Sequence, residues 1–221
     1  MKGLADKRSA ILRGALTVFA RDGYTRASVD AIAGEAQVST RTIYNHFRDK
    51  ADLFQILIRE NAVDVAEFQI GLIERYLRKI TDLEQDLIEF GTAFATPIPG
   101  YANHFALVRQ VNAEAGHIPQ AALDAWQEAG PGRVLRALAE RMRQLAGDGL
   151  LQVDDPDRAA THFVLLTSAA VANPSRQGSV PVTGPEIADI VRSGVRIFLS
   201  GYSHSTSTNG ARARVGRRSP S

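Results

Sequence analysis

Residues 28–47 read SVDAIAGEAQVSTRTIYNHF, and their apolar positions fall on the edges of two short helices. In the first, Val29, Ile32, Ala33 and Ala36 form a narrow apolar edge, and Ser28 stands where a side-chain oxygen accepts from the amides of the opening turn. The chain then turns at Gln37 and Val38. Ser39 is placed to cap a second helix, from Thr40 to His46 or Phe47. Ile43 and Phe47, four residues apart, face inward there, while Arg41, Thr42, Asn45 and His46 project elsewhere. A pair of helices of this length around a tight turn has the dimensions of a helix-turn-helix, whose second helix fits a DNA major groove about 12 Å wide.

Working outward, the same 3.6-residue spacing covers most of the chain and period-2 alternation is nearly absent, so the expected fold is all-α. Upstream, Ile11, Leu12, Ala15, Leu16, Val18 and Phe19 stripe a helix from about Asp6 to Asp22, which Gly23 ends. Downstream, Asp49 caps a long helix that continues to about Lys79, with Asp52 in its first turn where the helix dipole favours an acid. Leu83 to Phe94 and Phe105 to Ala115 mark two more helices, and Gly130-Pro131-Gly132 is expected to kink or split the segment 120–146. Asp155-Pro156 and Pro185 start the last two. The predicted organisation is a three-helix reading domain over 1–48, a helical regulatory domain over 49–201 and a basic, disordered tail over 202–221.

The chain has 221 residues, no cysteine and five histidines. No disulfide framework, thiolate metal site or cysteine nucleophile is available, and the histidines lack ligand spacing, so no metal or cofactor is expected. The N-terminal residues lack an apolar run followed by a cleavage site, and the longest apolar run, Phe163 to Ala172, is interrupted by Thr167 and Ser168. Neither export nor a membrane span is expected, and the cytoplasm is the expected location. The net charge of +2 is unevenly placed: residues 1–60 carry ten Lys/Arg against seven Asp/Glu, 61–201 carry twelve against seventeen, and 202–221 carry four Arg and no acid. Basic ends on an acidic body suit a unit that contacts phosphate.

The run Ile11-Leu12 … Phe19-Ala20-Arg21-Asp22-Gly23-Tyr24 … Ser28-Val29-Asp30-Ala31-Ile32-Ala33 … Val38-Ser39 … Thr42-Ile43-Tyr44-Asn45-His46-Phe47 … Lys50 … Leu53-Phe54 closely resembles the N-terminal domain of the tetracycline-repressor (TetR) family over residues 7 to 58. Further on, Val108-Arg109 … Ala113-Glu114 … Gly130-Pro131 … Leu138-Ala139 … Asp155-Pro156 … Phe163 is similar, more loosely, to the regulatory domain of AefR-like and AcrR-like members. The resemblance implies a homodimeric DNA-binding regulator whose last two helices form the dimer interface and whose C-terminal domain holds a small, largely apolar effector. Carried over by position, Thr40, Arg41, Thr42 and Asn45 lie on the recognition helix beside the cap Ser39. Tyr44, His46 and Lys50 match phosphate-contacting positions, and Ser28 matches the cap of the preceding helix. Two departures stand out. Gln37 replaces the usual turn glycine, which costs about 1 kcal/mol at positive φ and is expected to reshape the turn slightly. Ala27 stands where threonine is frequent.

On the same basis, Phe68, Leu72, Phe90, Phe94, Phe105, Val108 and Trp126 are candidate pocket walls, with His104, Asn112 and Gln127 as polar contacts; a core role is the alternative for each aromatic. Phe163, Leu166, Ala170, Val191, Val195 and Phe198 are candidate dimer contacts, with an intramolecular core as the alternative. Asp154, Asp155 and Asp157 are better explained by helix capping than by a carboxylate site. No arrangement of nucleophile, base and oxyanion donors is present, so an enzyme is not expected. A transcriptional activator, a ligand-independent repressor and, from another class, a helical carrier or enzyme stand as alternatives.

Overall fold

The computed structural model describes residues 2–98, 100–176 and 180–202, with side chains from residue 6 onward. Every regular element among the described residues is helical: α1 (Lys2–Arg26), α2 (Val29–Glu35), α3 (Thr40–Tyr44), α4 (Lys50–Leu77), α5 (Leu83–Ala95), α6 (Ala102–Ala113), α7 (Gln120–Ala129), α8 (Pro131–Gly147), α9 (Pro156–Val164), α10 (Ala170–Ala172) and α11 (Gly184–Tyr202). A 3-10 turn, Ala115–His117, follows α6, and a π-helical turn, Leu165–Ala169, joins α9 to α10.

The expected caps close the helix starts. Ser28 Oγ accepts from the Ala31 amide at 3.1 Å, and Ser39 Oγ from Thr42 at 3.2 Å. Asp49 accepts from Asp52 at 2.8 Å and Asp155 from Arg158 at 3.0 Å. Each satisfies an amide that the first helical turn leaves without a backbone partner. Gly130, at φ −114° and ψ −99°, separates α7 from α8 and makes the expected break. Tyr202, expected in the tail, is helical instead, because its ring stacks on Phe198 with centroids 4.6 Å apart. The rest of the expected tail, from Ser203, lies outside the described residues.

Two apolar cores form, and α4 runs through both. Its first half gives Leu53, Phe54, Leu57 and Ile58 to a core with Ile11, Phe19, Ile32, Ile43 and Phe47 of the reading unit. Its second half gives Ala66, Ile73 and Leu77 to a core with Phe90, Leu138, Met142, Phe163, Val191 and Phe198. The first core does not stop at residue 48: Leu107 and Val111 of α6, Ile118, and Ala122 of α7 are buried in it as well. Full burial of side chains this size stabilises by about 1.5–3 kcal/mol each, so the reading unit's fold draws on residues far beyond its own sequence.

Candidate nucleic-acid interface

In the α2–α3 unit, Ile32, Ala33 and Ile43 face the core, and Phe47 is 2% exposed. The opposite side of α3 presents Arg41, Tyr44 and Asn45 to solvent, with Thr40, Thr42 and His46 half-buried at its margins. Tyr44 is 56% exposed, a large aromatic that the fold does not use for packing. Arg41 makes no ion pair among the described residues. Nearby Arg48 does, donating to Asp52 at 2.9 Å from its side chain and 3.0 Å from its amide; these bonds hold the Asp52 carboxyl below the usual carboxylate range. Arg41 therefore carries the available cationic fork on this face, the side chain best matched to a guanine edge.

Ser39 and Thr42 are tied to each other, their hydroxyls 2.9 Å apart, so both shape the start of α3. Lys50 also has a fixed task. Its ammonium donates to the carbonyls of Tyr24 (2.9 Å) and Ala27 (3.1 Å), with Thr25 at 3.4 Å, and sits 4.8 Å over the Tyr24 ring. It binds the end of α1, beyond the break in helical geometry at Gly23, and Ala27 after it, rather than projecting freely toward a phosphate. Gln37 adopts φ 55° without reshaping the turn. Its amide donates to Gly34 and that of Val38 to Ala33, the paired bonds of a Schellman motif, so the left-handed residue keeps the geometry expected of glycine.

The candidate pocket residues do not gather in one place. Phe90 is fully buried, with its ring 5.5 Å from those of Phe94 and Phe163, and Leu72 and Phe94 pack against the same C-terminal core. Trp126 packs on the other core. Phe68, Asn112 and Gln127 are exposed, and Val108 is half-buried. His104, expected as a polar contact, is 7% exposed and hydrogen-bonded through Nδ1 to Asn61 of α4, with the Phe105 ring edge-on at 5.1 Å. Burial pushes the His104 pKa down to about 4, so the imidazole is neutral at physiological pH. Among the described residues no group of three His, Cys, Asp or Glu could hold a metal ion.

The last helices show why exposure must be read beside sequence spacing. Phe163, Val191, Val195 and Phe198 are at most 1% exposed and fill the chain's own core. That leaves Leu166 and Ala170, both half-buried, as the candidate contacts near the surface. The outward apolar residues on these elements are Leu165 and Ile197, each 56% exposed. The π-turn accounts for the shift. Its wider winding moves the buried stripe from the expected Phe163, Leu166, Ala170 to Phe163, Thr167, Val171, and Thr167 Oγ returns a bond to the Phe163 carbonyl at 2.7 Å.

Residues 11–57 match the family model described as bacterial regulatory proteins, tetR family, and residues 85–204 match the AefR-like transcriptional repressor C-terminal domain. The chain belongs to the TetR family. The TetR-family repressor AcnR of Corynebacterium diphtheriae is 40% identical over 73 residues, covering 32% of this chain and 38% of that one. The alignment thus spans well under half of that relative's length. A crystal structure assigned to the TetR-family regulators, from Mesorhizobium loti, superposes with a TM-score of 0.78 at 26% identity, over 91% of this chain and 98% of that one. The flavonoid-responsive regulator FrrA superposes at 0.60 with 28% identity, over 89% and 97%.

Beyond the candidate site residues, the structure adds Asn61 beside His104, and it gives Glu114, so far only part of the looser resemblance, a contact: its carboxylate reaches Thr25 at the end of α1. The first joins α6 to α4 and the second joins α6 to α1, across 43 and 89 positions of sequence, and no local pattern encodes either. No helix among the described residues is long and apolar enough to cross a membrane.

Proposed function

We propose that this TetR-family chain acts as a homodimeric transcriptional repressor in the cytoplasm, reading a pseudo-palindromic DNA operator and releasing it when a small, largely apolar effector binds. The observation that carries the reading is the α3 face. Arg41, Tyr44 and Asn45 are held outward by a capped helix whose other side is anchored by Ile43 and Phe47. In a dimer the two α3 helices enter successive major grooves, about 34 Å apart. The exposed Leu165 and Ile197 supply an apolar face on the π-turn and α11 for the second copy. The effector reading draws on the family and on the buried His104, bonded to Asn61 of α4, the helix that runs through both cores; FrrA is described as responding to flavonoids, which supports a small-molecule input.

Selection of bound duplexes from a random pool, followed by salt titration of the winner, tests the proposal. The expected result is an enriched pseudo-palindrome whose log affinity falls steeply and linearly with log salt. Arg41→Ala is expected to relax base preference at one position per half-site, worth about 1–3 kcal/mol of discrimination, whereas Tyr44→Phe weakens all sequences alike. A pool that enriches no sequence would remove the operator mechanism.

A further inference from the structure

Helical geometry in α1 breaks at Gly23 (φ 78°, ψ 175°), where the sequence places the helix end, and the stretch from there to Ala27 that leads into α2 is a turn gripped from two sides by charged groups. On its carbonyl side stands the Lys50 ammonium, at the start of α4. On its amide side stands the Glu114 carboxylate, at the end of α6: Oε2 accepts from the Thr25 backbone N–H at 2.8 Å and from the Thr25 hydroxyl at 3.1 Å. Gly23 makes room for it. With φ at +78° it adopts a conformation that other residues resist, and a Cβ there would lie 2.3 Å from Glu114 Oε1 and 3.0 Å from Gln110 Oε1. The turn leads directly into Ser28, the cap of α2, so its position sets where the reading unit begins.

These two grips differ in origin. Lys50 heads the helix that follows the reader, whereas Glu114 closes the C-terminal end of α6, the helix whose first turn carries the buried His104, just before the 3-10 turn at Ala115–His117. We propose that Glu114 is a positioning residue for DNA reading: beside the apolar contact that Leu107 and Val111 of α6 make with the same core, its bonds to Thr25 set where the chain leaves α1 and enters the cap of α2. The inference rests on the operator reading given above. Glu114 touches no DNA in this scheme, and its own charge opposes a polyanion.

That opposition gives the test a sign. If only charge mattered, Glu114→Ala and Glu114→Gln would both tighten DNA binding, and equally, as would removal of a surface acid such as exposed Glu128 on α7. Positioning predicts the reverse order. With the full-length chain and the duplex selected by the wild type, Glu114→Ala should bind about tenfold more weakly, within the range typical of coupling between sites. Glu114→Gln, which keeps a neutral acceptor, should fall between the two, and Glu128→Gln should bind as tightly as wild type or slightly tighter. The slope of log affinity against log salt should stay that of the wild type, since no phosphate contact is lost.

A DNA-free readout and a second variant accompany it. Amide exchange at Thr25 should speed up in Glu114→Ala, and Thr25→Val, which removes the hydroxyl donor at an exposed site, should give a smaller loss of affinity of the same kind. Wild-type binding by Glu114→Ala, or an unchanged Thr25 exchange rate, would overturn the positioning role and leave the operator reading intact. A wild-type chain that selects no duplex would overturn the operator reading instead, and the exchange measurement would still report whether Glu114 holds the turn.

Discussion

The reading unit and the pair of helices that ends the chain are both helix on helix, yet they are held by different means. α2 and α3 have seven and five residues, too few to be stable by winding alone, and they depend on serine caps, a Schellman turn and a handful of buried side chains. α9 and α11 depend on contact. At Gly194 of α11 a Cβ would stand 2.0 Å from the Leu166 carbonyl oxygen in the π-turn and 2.7 Å from its carbon, so backbone meets backbone there. Short polar devices set the geometry of the first region; the absence of a side chain sets that of the second. The first can loosen locally without unfolding the molecule, as a reader that must adapt to DNA requires, whereas the second is tied to the main C-terminal core.

The sharpest way to break that contrast is Gly194→Ala. The clash is with main chain, which cannot rotate aside, so α11 must move off the π-turn. The expected loss is about 3 kcal/mol, at the upper end for overpacking, read as a lowered denaturation midpoint. An alanine variant as stable as wild type would mean that the approach at Gly194 is not what holds α11 to the π-turn.

Next in size is an acid effect that arises in α6, a helix packed on the reader's core. Burial depresses the His104 pKa from 6.5 to about 4 in the folded chain. Between those values the unfolded chain binds a proton that the folded chain refuses, so folding stability falls as pH drops through this window and is recovered above about pH 6.5. The total is up to roughly 3 kcal/mol for a shift of this size. Denaturant titrations at pH 7 and pH 4.5 should show the loss in the wild type and a smaller one in His104→Gln, which cannot titrate. Equal losses in the two chains would place the acid sensitivity elsewhere.

These two sites also mark where sequence reasoning ends. Caps, apolar stripes and the break at Gly130 are local, and each is set by residues within a turn or two of one another; Ser28, Ser39, Asp49 and Asp155 all behave as their positions predict. The π-turn is different. It adds backbone per turn without a marker in residue type, so spacing that is correct through Phe163 points to Leu166 and Ala170 when the buried residues are Thr167 and Val171. Phe198 and Val191 are apolar on a helical stripe whether the stripe meets its own core or a second copy, and sequence alone does not separate those. His104 with Asn61 and Glu114 with Thr25 are pairings that only the tertiary fold creates.

On the reader's side the effects should be smaller in stability and larger in function. Ser39→Ala removes the acceptor for the Thr42 amide and the partner of the Thr42 hydroxyl, at a cost of about 1 kcal/mol. Because α3 is a single five-residue helix, that loss acts on the recognition face before it acts on the whole fold. Operator affinity should drop several-fold while the main thermal transition moves little. A matched fall in both would show that α3 and the body of the protein unfold together.

The smallest expected change runs the other way. Gln37 sits at φ 55° in the turn between α2 and α3, where a side chain carries a steric cost that glycine does not. Its two flanking hydrogen bonds, Gln37 to Gly34 and Val38 to Ala33, involve only backbone and survive the exchange. Gln37→Gly should therefore stabilise the chain by about 0.5–1 kcal/mol, less whatever glycine's greater freedom gives back to the unfolded state. The gain should appear as slower amide exchange at Val38 and Thr42 rather than in the C-terminal helices, since it belongs to a device local to the reader. If Gln37→Gly weakens DNA binding while stabilising the turn, the exposed Gln37 side chain has a contact with DNA that outweighs its strain, and the departure from glycine is part of how this regulator reads its operator.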